Sequence, residues 1–307
     1  MRVLFFGTPV FALPTLEALI QDHQVVAVVT QPDRPAHRGQ RLTPSPVKER
    51  ALAAGIPVLQ PTRLRDPEWP ERLRPYGAEV AVVVAFGQIL PRAVLDVPAR
   101  ECLNIHASLL PRYRGAAPIA WAIIRGETET GISIMQMDEG MDTGPVLFTS
   151  RTPIGPDETA ADLAGRLATM GAQALREVLA RLDSLAPVPQ VHTDATLAPR
   201  LKKSDGDIDW TRSARDLKNL VRGCNPWPGA HTRTPAGALL IWKALALPEQ
   251  RTELSGTLVT QGASLAVATS AGILLPLEVQ AEGRRTISWN EYLRGARLAA
   301  GAAFGVR

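Results

Sequence analysis

Cysteine is almost absent: Cys102 and Cys224 are the only two among 307 residues. They lie far apart and in no metal-ligand spacing, which argues against a disulfide scaffold and for a reduced protein. Histidine is scarce too, and no two histidines stand at helical ligand spacing, so no built-in metal is expected. No apolar run approaches a membrane span. The opening run Val3-Leu4-Phe5-Phe6 is broken at Gly7-Thr8-Pro9, and Glu17 falls where the apolar stretch of a leader would continue. A cytoplasmic protein with no membrane partner is expected. Glycine signatures are missing as well. Gly7-Thr8-Pro9-Val10-Phe11 has no second or third glycine, so the dinucleotide fingerprint and the P-loop both fail. Nucleophile-elbow spacing does not occur.

What is present is an uneven charge. The net charge is only +4, yet from Arg200 onward lysine and arginine outnumber acids by 15 to 9. A second basic stretch lies at 31–50, where Arg34, Arg38, Arg41, Lys48 and Arg50 face only Asp33 and Glu49. A solvated surface explains such charge in the plainest way; two basic patches also suit a polyanion.

Length favours two domains. In the first half, short apolar runs alternate with helical patterns. Val3–Phe6, Gln24–Thr30, Glu79–Ala85 and Cys102–Ile105 read as strands; the stretches after Pro9 and over Pro46–Ala54 read as helices. This alternation predicts a doubly wound, mainly parallel, Rossmann-like α/β sheet, whose ligands bind beyond the carboxyl ends of its strands. A long amphipathic helix is expected over Thr159–Leu182, followed by a proline-rich linker. Short runs at 239–242, 256–260, 264–268 and 272–277 then predict a small β-barrel. The expected division is 1–186, a linker at 187–205, and 206–307.

Asn104 and His106 alternate at a strand end, so both side chains reach one face. A carboxamide and an imidazole together can stabilise an oxyanion and handle a proton. Asp138, Glu139 and Asp142 sit in a glycine-flanked loop, and one carboxylate brought against His106 would hold its ring. Taken singly, each of these residues is also an ordinary turn or surface residue.

The run Asn104 to Gly115 (Asn-Ile-His-Ala-Ser-Leu-Leu-Pro-Arg-Tyr-Arg-Gly), with the later Asp142-Thr143-Gly144, resembles the formyltetrahydrofolate-dependent formyltransferase superfamily. The likeness covers essentially the whole chain. It implies a catalytic trio of Asn104, His106 and Asp142, with folate contacts from Ser108, Leu109, Leu110 and Pro111. Val84–Pro91 would line the pterin pocket through Phe86, Gly87, Gln88, Ile89 and Leu90. The implied co-substrate is 10-formyltetrahydrofolate, and by analogy the C-terminal barrel is OB-like.

Within the superfamily, Thr30–Lys48 resembles a loop that holds a tRNA acceptor end, with Arg38, Arg41 and Lys48 as candidate contacts. His37 stands where glycine is usual. Arg222–Ala230 resembles a signature at the domain junction, with Cys224 in place of the usual leucine; Trp227 there is a packing corner or a ligand contact. The resemblance thus implies formyl transfer to the α-amine of initiator methionyl-tRNA by a monomer. Two alternatives use the same trio: formylation of a small amine (a nucleotide sugar or glycinamide ribotide) and hydrolysis of the carrier. The two basic stretches argue against both. An RNA-binding protein with a vestigial pocket is a third, and the intact trio argues against it.

Overall fold

A computed structural model describes residues 1–36 and 41–305. The expected contact Arg38, with its neighbour His37, lies outside the described residues, as does the side chain of Arg41. The chain forms two compact units, the first made of residues 1–118, 129–153 and 164–199, the second of 119–128, 154–163 and 200–307.

The first unit is built on a seven-stranded sheet. In chain order its elements are β1 (Arg2–Gly7), α1 (Leu13–Asp22), β2 (Gln24–Val29), a hairpin of β3 (Arg34–Ala36) and β4 (Arg41–Thr43), and α2 (Pro46–Ala53). Then come β5 (Val58–Leu59), α3 (Glu68–Leu73), β6 (Val80–Val84), α4 (Arg92–Leu95) and β7 (Glu101–His106). A short helix α5 (Pro118–Ile124) precedes β8 (Glu129–Gln136) and β9 (Val146–Pro153), and the long α6 (Ala160–Ala180) follows. The strand order is β5-β2-β1-β6-β7-β8-β9. The pairs from β5 through β7 are parallel; β8 and β9 run antiparallel at the edge.

The sequence explains this division. Every residue of Val80–Val84 is buried, as befits a strand covered on both faces. In β9 buried or half-buried residues alternate with exposed ones, the mark of a strand with one face in water. The polar-apolar alternation of β8 and β9 carries less signal than a valine run, and neither strand was expected. The helix after Pro9 starts later than expected. Pro9 is extended, a single 3-10 turn follows, and Pro14 supplies the preset first turn of α1. Ser45 caps α2 by accepting from the Lys48 N–H at 3.1 Å.

α6 places Leu167, Leu175 and Val178 in the core at 1% exposure or less, where each contributes on the order of 2 kcal/mol. Gly171 sits in the same stripe. A β-carbon there would lie 2.9 Å from Ile105 Cγ2, so only glycine lets the helix approach β7 this closely.

Residues 187–199, expected to be linker, belong instead to the first unit. Val188 bridges Val146, and Arg114 and Ala117 donate main-chain bonds to Thr196 and Ala198. The polar, proline-rich texture suggests a free tether, but the segment's backbone groups are paired across the chain, which no local pattern reveals.

The second unit holds an antiparallel sheet of six strands: β10 (Ala230–Thr234), β11 (Gly237–Leu247), β12 (Leu258–Gln261), β13 (Ser264–Ala268), β14 (Ile273–Ala281) and β15 (Ile287–Ser288). The order is β10-β11-β14-β13-β12, with β15 beside β14. Two helices complement the expected strands: α7 (Ala214–Gly223), capped by Ser213, and α8 (Trp289–Ala296), capped by Ser288. Trp289 is 2% exposed, stacked on Tyr292 at 5.6 Å and edge-on to Phe304 at 6.1 Å. Arg222 is buried within this unit, donating to Gly155 O and Asn219 Oδ1, and burial lowers its pKa. Cys224 is fully buried, whereas Trp227 is 55% exposed.

Candidate active site

The strand order reverses between β1 and β6, the switch point beyond whose carboxyl ends sheets of this kind bind ligands. Thr8, just past β1, donates to Phe86 O, just past β6, at 3.2 Å. Gln31, just past β2, joins them: its N–H donates to Thr8 Oγ1 at 3.3 Å and its Nε2 to Phe86 O at 3.1 Å. The same residue accepts from Gln60 Nε2 at its main-chain oxygen. One side chain thus ties the base of the 31–43 loop to the segment that follows β6.

Asn104 and His106, at the end of β7, pair across the sheet with Met135 and Ser133 of β8. Both are buried, at 8% and 6% exposure. Asp142 comes from the loop between β8 and β9 and meets both side chains. Its Oδ1 lies 3.4 Å from Asn104 Nδ2 and 3.7 Å from His106 Nδ1. Its Oδ2 accepts from the Gly115 N–H at 2.8 Å.

His106 Nε2 lies 2.9 Å from Tyr113 O. A carbonyl only accepts, so Nε2 carries a proton and Nδ1 is the nitrogen left facing Asp142. Nδ1, Nδ2 and Oδ1 therefore converge with longer separations than tight bonds require.

Two residues beside this cluster are left-handed without being glycine: Tyr113 (φ 61°) and Asp142 (φ 53°). Such conformations store strain that the surroundings must hold. Gly115, at φ 115°, lies where a β-carbon would come 2.8 Å from Ala198 O. The other loop acids are elsewhere. Asp138 accepts from Gly140 N and Thr143 Oγ1 within its own turn, and Glu139 is exposed.

Of the expected folate residues, several serve the scaffold. Ser108 is fully buried, its Oγ donating to Arg112 O and its carbonyl accepting from Ser133 Oγ. Leu110 N donates to Ser133 Oγ, and Leu109 packs where a β-carbon on Gly131 would lie. Pro111, like Leu109 and Leu110, is half-buried. Phe86 packs edge-on against Phe6 at 5.4 Å, Leu90 is 1% exposed, and Gln88 bonds Leu64 N and Pro61 O. Gly87, at φ 84°, and Ile89, 71% exposed, remain open to a ligand. Lys48 is not a free cation: its Nζ meets Asp33 Oδ2 at 2.6 Å, and Gln60 Nε2 holds Asp33 Oδ1 at 2.7 Å. Asp33 is held below the usual carboxylate range, chiefly by the bond from Lys48 and then by that from Gln60.

Sequence reasoning missed Tyr113 O, Gly115 N, Arg114 and Gln190 as neighbours of the cluster. The first three lie inside the Asn104–Gly115 run, whose pattern gives no sign of which of its backbone groups meet the trio. Nothing marked Gln190. Among the described residues, no group of three or more His, Cys, Asp or Glu is placed to hold a metal, and no helix is long and apolar enough to cross a membrane.

The formyl transferase family model matches residues 1–179, and that of the formyl transferase C-terminal domain matches residues 200–297. The chain belongs to the formyl transferase family. A methionyl-tRNA formyltransferase of Sorangium cellulosum is 52% identical, covering 99% of this chain and 100% of its own length. One of Myxococcus xanthus is 47% identical over 98% of this chain and 97% of its own. Among solved structures, an N-formyltransferase from Helicobacter canadensis, in complex with folinic acid and dTDP-3-aminofucose, has a TM-score of 0.65 at 16% identity. It covers 90% of this chain and 98% of that one. HypX from Aquifex aeolicus, in complex with tetrahydrofolic acid, has a TM-score of 0.62 at 16% identity, covering 98% of this chain and 48% of its own. At such identities the likeness speaks for the fold alone.

Proposed function

We propose that this protein transfers the formyl group of 10-formyltetrahydrofolate to the α-amine of initiator methionyl-tRNA, as a cytoplasmic monomer in translation initiation. The observation that carries the reading is the convergence of Asn104 Nδ2, His106 Nδ1 and Asp142 Oδ1, on a chain about half identical over its full length to methionyl-tRNA formyltransferases. The folate carrier supplies an activated formyl group. The exposed Gly87 backbone and Ile89, beside the β1–β6 switch point, fit the flat face and polar edge of a pterin.

Asn104 Nδ2 donates toward the formyl oxygen as negative charge develops on it, and His106, carrying a second proton on Nδ1 beside the Asp142 carboxylate, donates to the same oxygen. Each such donor is worth roughly two to three powers of ten in turnover. Asp142 Oδ1 accepts a proton from the attacking amine as the new C–N bond forms. It returns that proton, by way of His106 or a water, to the leaving nitrogen as the old bond breaks. The Tyr113 carbonyl keeps the ring aimed so that Nδ1 is the working nitrogen.

For tRNA, Arg38 and Arg41 in the 31–43 loop and the exposed basic residues of the second unit form the proposed phosphate contacts. Lys203, Arg233 and Lys243 are among the latter. Lys48 acts in this reading by anchoring the loop through Asp33. The second unit is read as an OB-like tRNA-binding domain following residue 206.

The test offers the purified protein 10-formyltetrahydrofolate with methionyl-tRNA, an amino nucleotide sugar, glycinamide ribotide or water alone. N-formylmethionyl-tRNA as the dominant product is expected. Faster formylation of a small amine, or release of formate without an acceptor, would overturn the assignment.

A further inference from the structure

Neither family model reaches residues 180–199, and the segment 187–199 reads as a tether. Gln190 lies in that stretch, yet it is only 9% exposed. Its carboxamide is fully engaged. Nε2 donates to Asp142 O at 2.9 Å and to Gly144 O at 2.7 Å. Oε1 accepts from Arg114 Nε at 3.1 Å and Arg114 Nη2 at 2.7 Å. Arg114, 7% exposed, also meets His192 Nδ1 through Nη2 at 3.1 Å.

We propose that Gln190 is a positioning residue for the formyl-transfer reaction, setting the Asp142 carboxylate through the main-chain carbonyl of Asp142 itself. The proposal rests on the reading of Asp142 as a catalytic group. Asp142 is left-handed, a conformation that costs an aspartate little but one that its surroundings must hold if the carboxylate is to keep one place. Two restraints do so here: Gly115 N holds the side chain, and Gln190 Nε2 holds the backbone on either side of Thr143. Arg114 precedes Gly115 directly, so the guanidinium that fixes Gln190 is covalently joined to the amide that fixes Oδ2. The four residues form a closed loop of constraints around one carboxylate.

The two ends of the Gln190 amide do separable work, and Gln190→Glu separates them. It keeps an oxygen for Arg114, now charged, but faces Asp142 O and Gly144 O with an acceptor instead of a donor. If Gln190 merely packs Arg114, Gln190→Glu will be as active as wild type. If it positions Asp142, turnover falls. A misplacement of the reacting groups by about 1 Å costs on the order of a hundredfold, and a smaller one less.

The experiment compares kcat, both KM values and Tm for wild type, Gln190→Glu, Gln190→Met, Asp142→Asn and Asp142→Asn/Gln190→Glu. Gln190→Met keeps the shape and removes both polar ends, in case the added charge prevents folding. Support is a ten- to hundredfold lower kcat in the Gln190 variants with both KM values within about twofold. In support, too, the double variant is no slower than Asp142→Asn alone, because groups acting as a unit are not additive. Wild-type kcat in folded Gln190→Glu or Gln190→Met, beside an inactive Asp142→Asn, would overturn the proposal alone. An active Asp142→Asn would overturn the underlying catalytic reading, and the proposal with it.

Discussion

The imidazole of His106 is bound to the main chain of Tyr113, with Nε2 at 2.9 Å from the carbonyl oxygen in a buried setting. Because that oxygen can only accept, one ring nitrogen is committed and the other, Nδ1, is turned toward Asp142. The backbone of Tyr113 is itself left-handed, so the carbonyl is aimed by a conformation the side chain does not favour.

His106→Ala, Asn104→Ala and Asp142→Ala are therefore each expected to lower kcat by about a hundredfold or more, with tRNA affinity little changed, since their bonds strengthen in the transition state. Steady-state kinetics and equilibrium tRNA binding check this. The triple variant should be far less impaired than the product of the single losses. Near-normal turnover of His106→Ala would exclude the proposed oxyanion role.

Binding of tRNA should weaken with salt, because each lysine or arginine that meets a phosphate releases counterions. Arg38→Ala or Arg41→Ala is expected to flatten the log-log slope by about one unit and to lower kcat/KM for methionyl-tRNA. Folate affinity should not move. Matching slopes and efficiencies in wild type and variants would remove the loop from the tRNA contact.

Asp33 carries a pH signature. Its folded pKa lies below the ordinary aspartate value, through the Lys48 bond first and the Gln60 bond second. The stability it contributes is thus present above the unfolded pKa, near 4, and is lost as pH falls through the lower folded value. The pair is partly exposed, so this amounts to about 1 kcal/mol or less. In a pH series of denaturant unfolding, Asp33→Asn should fall short of wild type at neutral pH and converge with it in acid. A gap that widens below pH 4 would contradict the clamp.

Both thiols should be silent in the native protein. Burial pushes Cys102 and Cys224 up to about 12, so neither forms appreciable thiolate at pH 8. A thiolate-selective reagent is expected to label neither residue in the folded protein and both after denaturation. Prompt native labelling would show that one of these sites opens to solvent.

The sequence by itself determined those elements whose signal is local. A run such as Val80–Val84 must be buried on both faces, and a strand end at Asn104–His106 must turn alternate side chains the same way. The Asn104–Gly115 run marks the family by its residues alone, and the stripe of α6 is legible because its period is that of a helix. What only the tertiary structure decided is where polar groups find their partners. A hydrogen bond between residues 48 positions apart leaves no periodicity, so Gln190 looked like linker, although it holds the backbone of Asp142. Lys48 looked like a free cation for the same reason, although Asp33 neutralises it. Local pattern is set by which face of an element avoids water. Polar partnership is set by which distant backbone and side-chain groups would otherwise be buried unpaired, and that is known only once the chain has closed on itself.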